Sequence, residues 1–377
     1  MGFDSFLGNP KAVKSVREIL ASGHVPGALL FAGPDGVGKK TLALMLAKAL
    51  NCAKRPVGGD DFCGECPRCR KAEEFLVATR DDLARRRENK DALKRVEGLI
   101  YFDIQLLEPI TRYILTEQIR QLRQAAYTRP FELPQRVFII DDAQALHWQA
   151  VDLLLKVLEE PPDTTTLIVI CPNAYGLRPT IRSRCRLLPF SAVEASVISG
   201  VLGEGRKLTP AQRELGVRAA AGSVVKARQF DYDDFVRRRR PWIDFLDGIA
   251  SPAVRSPATT DWRLIFDATK ALAENRDNFE ETLEMGYSLL RDLLQMQEAG
   301  PEPQVTHVDL RPRLVRWAQK LGLEGLEKLK SGLDQAYRLQ MRNVNQQLGF
   351  EVLAIDVVAG AEGSLPSPPG PGSSPPY

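Results

Sequence analysis

The stretch that most restricts this chain is "GALLFAGPDGVGKKTLALMLAKALNC", residues 27–52. The apolar run Ala28–Ala32 reads as a buried strand. A glycine-rich turn follows, and then Leu42, Met45, Leu46, Ala49 and Leu50 recur at three- and four-residue steps, which puts them on one face of a helix. In a strand–turn–helix of this kind the pattern G-x-x-x-x-G-K-[ST] cradles phosphate. Gly33, Gly36 and Gly38 let backbone N–H groups curl around the oxygens, the helix N-terminus adds positive potential, and Lys39 neutralises the outer phosphates. The pattern breaks at one position. Lys40 stands where a hydroxyl belongs, and Thr41 comes one residue late. Magnesium requires hard oxygen ligands in tight octahedral geometry, which an ammonium group cannot supply.

A second acidic element answers to the loop. "RVFIIDDAQAL" (136–146) carries four apolar residues into Asp141 and Asp142, the signature of a central parallel strand. Asp141 falls where a magnesium-orienting aspartate belongs. Asp142 falls where a glutamate usually polarises the attacking water, and it is one methylene shorter. A misplacement of about 1 Å costs on the order of a hundredfold in rate. Both departures point to poor or absent hydrolysis. Two readings of the loop stay open: binding of a nucleotide such as ATP without turnover, and a purely architectural strand–helix joint.

Four of the six cysteines crowd together as Cys52, Cys63, Cys66 and Cys69. The run Cys63-Gly-Glu-Cys66-Pro-Arg-Cys69 supplies three thiolates at two-residue spacing, and Cys52 offers a fourth. Zinc binds four thiolates tetrahedrally, and a complete set with no further ligand describes a closed, structural site. The short polar loop between Cys52 and Cys63 has too few apolar residues to fold alone, so a metal would order it. Cys171 and Cys185 stand apart as small apolar fillers.

Composition sets the wider frame. With 377 residues and 44% hydrophobic content the chain can build two or three cored domains. Lys+Arg 51 against Asp+Glu 48 leaves +3, a balance that neither demands nor forbids nucleic acid. No apolar run has membrane-spanning length, and the N-terminal residues lack the apolar core of a signal peptide, so a cytoplasmic location without membrane contact is expected.

Strand and helix alternate to about residue 190, through "LTEQIRQLRQAAY", "ALHWQAVDLLLKVLEEPP" and the buried strand "TTLIVIC". The fold class is therefore α/β, a parallel sheet flanked by helices, followed by all-α segments. "RDDLARRRENKDALKRVE" (80–97) reads as a solvated helix or a mobile insertion. Residues 361–377, rich in Pro, Gly and Ser, read as a disordered tail.

Taken together, "FLGNPKAVKSV", the loop, the four cysteines, "TEQIRQL", "RVFIIDDAQAL", "LLKVLEEPP", "PTIRSRC" and "RNVNQQLGFEVL" resemble bacterial clamp-loader subunits of the AAA+ class, most of all their delta prime branch. The last stretch matches a collar signature at Asn345, Leu348 and Glu351. The resemblance implies an AAA+ module over 1–190 with a zinc-binding insert over 52–69, a helical lid over 191–235 and an oligomerising collar over 236–360. It implies that Arg184, in "SRC", acts as an arginine finger on a neighbour's ATP. The implied partners are gamma/tau and delta subunits in a ring, the sliding clamp and primed DNA. Hydrolysing relatives carry Lys-Thr and Asp-Glu where this chain has Lys39-Lys40 and Asp141-Asp142, and an arginine sensor where this chain has Val225 with Lys226 after it. Three rival readings stand beside it: an ATP-hydrolysing gamma/tau-type subunit, a zinc-bearing nucleic-acid binding module with a decayed loop, and a P-loop kinase. "RRRRPW" (237–242) reads as a solvated helix face, with contact to DNA phosphates as the alternative. His24, His147 and His307 read as structural, and Trp148 and Trp242 as core or interface residues.

Overall fold

The computed structural model describes residues 2–359 apart from 56–58, 92–93, 100, 252–259, 275–278, 299–303 and 341–345. The tail expected at 361–377 lies outside the described residues, as does Asn345. The chain divides into two compact units, Met1–Gly205 with Ala220–Gln229 and Arg206–Ala219 with Phe230–Tyr377.

In the first unit five parallel strands, β1 (Ala28–Ala32), β2 (Ile104–Leu107), β3 (Arg136–Ile140), β4 (Thr165–Cys171) and β5 (Arg186–Pro189), lie in the order β2-β3-β4-β1-β5. The helices are α1 (Pro10–Ser22), α2 (Lys39–Asn51), α3 (Pro67–Glu88), α4 (Thr116–Ala126), α5 (Trp148–Glu159), α6 (Pro179–Arg182), α7 (Ala195–Gly203), α8 (Pro210–Ala220) and α9 (Val224–Gln229), of which α8 belongs almost wholly to the second unit. Strands β1, β3 and β4 are buried at every residue, which is why they read as unbroken apolar runs rather than as alternation. Strands β2 and β5 escape that reading. Gln105 interrupts β2, and its side-chain oxygen accepts from Phe102 N–H inside the fold. β5 is an edge strand with only Leu188 buried. Because the strands are parallel, the loops after β1 and β3 emerge at the same edge of the sheet, where ligands bind in such folds.

The segment 80–97 is less loose than its charge suggests. Helix α3 runs through it as far as Glu88. Arg86 then donates to the carbonyls of Arg95, Glu97 and Gly98 at 3.0, 2.9 and 3.2 Å, fastening the following turn.

One ion pair lies wholly inside this unit. Asp103 and Arg136 are both 0% exposed, with Nη2 3.0 Å from Oδ1. Burial opposes the Asp103 charge, but N–H donors from Glu132, Phe131 and Leu133 and the guanidinium outweigh it and hold the carboxyl below its ordinary value. Replacing Arg136 by alanine leaves that buried carboxylate its N–H donors but no countercharge, and strips the donors facing the Thr128 and Arg129 carbonyls. The expected result is a loss of about 3–5 kcal/mol from the first unit, read by denaturant unfolding.

The second unit is all-helical. With α8 it contains α10 (Tyr232–Ile249), α11 (Trp262–Ala273), α12 (Phe279–Gln297), α13 (Arg311–Gln340) and α14 (Gln346–Ala359). Helix α13 breaks its regular geometry at Gly322, where φ is 61°. Trp242 anchors the core, 1% exposed, with Phe245 and Phe350 edge-on at 5.7 and 5.6 Å and its Nε1 donating to the Thr282 carbonyl at 2.8 Å. Among the described residues no helix is long and apolar enough to cross a membrane.

Candidate nucleotide and metal sites

Strand β1 delivers the glycine-rich loop to the edge of the sheet and α2 begins at Lys39, with Gly38 as its N-cap at φ 98°. Gly36 also has positive φ, and a Cβ there would lie 1.9 Å from Ser223 Oγ, so only glycine fits. The residues after α8 are what press on it: Val225 N–H donates to the Gly36 carbonyl at 3.3 Å. Val225 brings no charge to this contact. Gly33 opens the loop, its N–H donating to the Cys171 carbonyl at 3.2 Å. Lys39 is 6% exposed and lies across the loop, its Nζ donating to the carbonyls of Gly33 and Pro34, the latter at 2.7 Å, with Asp35 Oδ1 at 3.3 Å.

Lys40 does occupy the position of the missing hydroxyl. As the second residue of α2 it points across the sheet edge, with Nζ 3.2 Å from Asp141 Oδ2 and a second ion pair to Glu108. Thr41, the third residue of α2, is exposed, and its hydroxyl makes no hydrogen bond to Asp141 among the described residues. Glu108, just past β2, is the residue that sequence reasoning missed. Burial pushes its carboxyl up, but Lys40 and Arg87 prevail and hold it below its ordinary value. No signal along the chain links it to the loop, since it lies 68 residues from Lys40. Asp142 sits in the left-handed region at φ 54°, ψ 54°, a conformation that aspartate tolerates better than most side chains. Burial, and then the charges of Asp141 and Asp35, raise its pKa.

Sulfurs of Cys52, Cys63, Cys66 and Cys69 all lie within 4.8 Å of one another. Cys52 caps the end of α2, Cys66 is the N-cap of α3, and Cys69 lies in the first turn of that helix. The Cys52 and Cys63 sulfurs are 3.6 Å apart, close to the roughly 3.8 Å edge of a tetrahedron with 2.3 Å metal–sulfur bonds. N–H groups of Cys63 and Cys66 point at the sulfurs of Cys52 and Cys63, at 3.4 and 3.3 Å, as donors that favour thiolate. At Cys66 burial is outweighed by the N–H groups of Cys69 and Ala53 and by neighbouring thiols, which bring it down to about 6. These four residues can hold a metal ion. The cluster is also pinned to the chain start: Asp61 accepts from Phe3 N–H at 3.1 Å, and Arg17 bridges Asp4, Asp60 and Asp61.

Arg184 follows α6 at the surface, its side chain 33% exposed. Nε and Nη2 bind Glu159 Oε1 at 3.0 and 2.6 Å, and Nη1 donates to the Thr180 carbonyl at 3.0 Å. Two separate sequence motifs, "LEEPP" and "SRC", thus meet in one ion pair.

Other candidates resolve differently. Each arginine of 237–240 has a carboxylate: Arg237 and Arg238 share Asp234, Arg239 takes Asp309, and Arg240 takes Asp244. Arg239 is 2% exposed, so that position belongs to the core rather than to a solvated face. Trp148 is not a core residue. It stands 61% exposed at the start of α5 beside His147, which in turn packs edge-on to Tyr113. His307 is fully buried against Asp292, and His24 is exposed.

Residues 8–194 match the family described as DNA polymerase III, delta subunit. The gamma/tau subunit of DNA polymerase III from Mycobacterium tuberculosis is 27% identical over 286 residues, which is 72% of this chain and 43% of that protein. The chain therefore spans less than half the length of such gamma/tau relatives. The delta' subunit of Bacillus subtilis is 24% identical over 347 residues, covering 92% of this chain and 95% of that one. Among solved structures, a gamma subunit-related protein of Thermotoga maritima aligns at a TM-score of 0.43 with 14% identity, over 93% of this chain and 100% of that one. Residues 8–194 thus carry the pattern of that family, and over most of its length the chain is related to the delta' and gamma/tau subunits of DNA polymerase III.

Proposed function

We propose that this chain is the delta prime subunit of a bacterial clamp loader, working in the cytoplasm in a hetero-oligomeric ring with gamma/tau and delta subunits to place the sliding clamp on primed DNA. Within that ring it presents Arg184 to the ATP of an adjacent subunit and hydrolyses little or nothing itself. One observation carries the reading: at the chain's own loop, the position that should offer magnesium a hydroxyl holds an ammonium group 3.2 Å from Asp141. With the shorter Asp142 beside it, the loop lacks both the metal ligand and the water-polarising glutamate of a working site. The residues for a nucleotide at that loop are Gly33, Gly36, Gly38, Lys39, Lys40, Thr41, Asp141 and Asp142. Cys52, Cys63, Cys66 and Cys69 hold a structural zinc. Residues 191–235 act as the lid and 236–360 as the collar that joins subunits.

The purified chain alone is expected to release phosphate from ATP at the background rate, and the assembly reconstituted with its partners to turn over when clamp and primed DNA are added. Magnesium-dependent turnover by the chain alone, lost on Lys39→Ala, would instead assign it to the hydrolysing gamma/tau type.

A further inference from the structure

A magnesium ion in a phosphate-binding loop has two electrostatic tasks. It neutralises phosphate oxygens, and it holds the aspartate of the neighbouring strand close to them without repulsion. Here the Lys40 ammonium already stands on Asp141 and on Glu108. Arg87, near the end of α3, holds the other Glu108 oxygen at 2.9 Å and donates also to the Pro109 carbonyl. Two carboxylates and two cations thus form a locally neutral network, tied to three parts of the sheet edge. A divalent ion entering it would have to displace one ammonium from both carboxylates. It would gain no hydroxyl in return, because Thr41 points to solvent.

We infer that Lys40 is a built-in replacement for the divalent cation, so that the loop takes the phosphates of a nucleoside diphosphate or triphosphate without magnesium. Lys39, lying across the loop, and Lys40, screening Asp141, supply the positive charge. A lysine suits this task because its ammonium is a compact point charge. The inference rests on the loop being a nucleotide site and not on the role of Arg184.

The test is equilibrium binding of ADP to the full chain, in EDTA and in magnesium. Wild type is expected to bind with the same affinity in both, within about twofold. Lys40→Thr removes the ammonium and restores the hydroxyl; its affinity should fall in EDTA and rise at least about tenfold with magnesium, or about 1.4 kcal/mol. Lys40→Met, which keeps length without charge, should bind weakly in both buffers. Circular dichroism of both variants checks that each is folded. A wild-type affinity that rises tenfold with magnesium overturns the inference, as does failure of wild type to bind ADP in either buffer. Magnesium-independent binding by Lys40→Thr equal to wild type overturns it too. These readouts report this chain's own loop, whereas the finger is read on a neighbour's turnover, so the two fail separately.

Discussion

Arg184→Ala will slow ATP hydrolysis at the adjacent subunit's site by about 10³–10⁵-fold in the reconstituted assembly, the range for loss of an arginine that stabilises charge on a transferring phosphoryl group. The side chain is suited to that task by where it waits. It is one-third exposed and, among the described residues, is held by Glu159, itself half exposed, and by backbone and hydroxyl acceptors next to it. An exposed ion pair of this kind contributes about 0–1 kcal/mol, so a phosphate on a neighbour can draw the guanidinium away at little cost. For the same reason Arg184→Ala should leave the stability of the isolated chain nearly unchanged. Arg184→Lys should recover little, since an ammonium lacks the planar fork that grips two oxygens. The measurement is single-turnover hydrolysis with clamp and primed DNA present, because steady-state rates mix this site with the others of the ring. Unchanged turnover in Arg184→Ala would remove the finger role.

The second large effect concerns the cysteine cluster. Purified protein should carry one zinc per chain, and Cys66→Ser or strong chelation should remove it. Structural zinc sites of this kind are worth about 10–16 kcal/mol in isolated peptides. Here the loss will be smaller than that range, because Asp61 and Arg17 already bind the module to the N-terminal residues independently of metal. The disruption should concentrate between the end of α2 and the start of α3, where the four sulfurs converge. Hydrogen exchange should therefore rise at residues 59–72 while β1, β3 and β4 keep their protection. Metal analysis that finds no zinc in protein purified without chelators would refute the assignment. A uniform loss of protection across the sheet would show instead that the cluster supports the whole unit.

Much of the molecule could be read before any coordinates. Strands β1, β3 and β4 are continuous apolar runs because parallel strands are covered on both faces, and that pattern survives in one dimension. Helices α2, α4 and α5 show their buried stripe at three- and four-residue steps for a similar reason. Cys63, Cys66 and Cys69 announce themselves by spacing alone, since a two-residue gap between thiols is a local constraint, whereas Cys52 stands 11 residues before the first of them. Edge strand β5 was not legible, being exposed on three of its four residues, nor was β2, whose run is broken by a buried glutamine satisfied inside the fold. The arginine run also misled at one position. Charge density suggests solvent, but Arg239 is buried because Asp309, 70 residues away, meets it with both oxygens.

By itself, then, the sequence determined the sheet's central strands, the loop with its missing hydroxyl, the sulfur cluster and the arginine after α6, because each is written in neighbouring residues. Only the tertiary structure decided what those residues face. Lys40 could have been a displaced surface charge or an obstacle to a metal. The parallel order of β1, β3 and β2 brings Asp141 and Glu108 to it, and that pairing makes it a fixed internal cation. Long-range electrostatic partners of this kind depend on which loops share one edge of a sheet, and no local pattern in a chain encodes that.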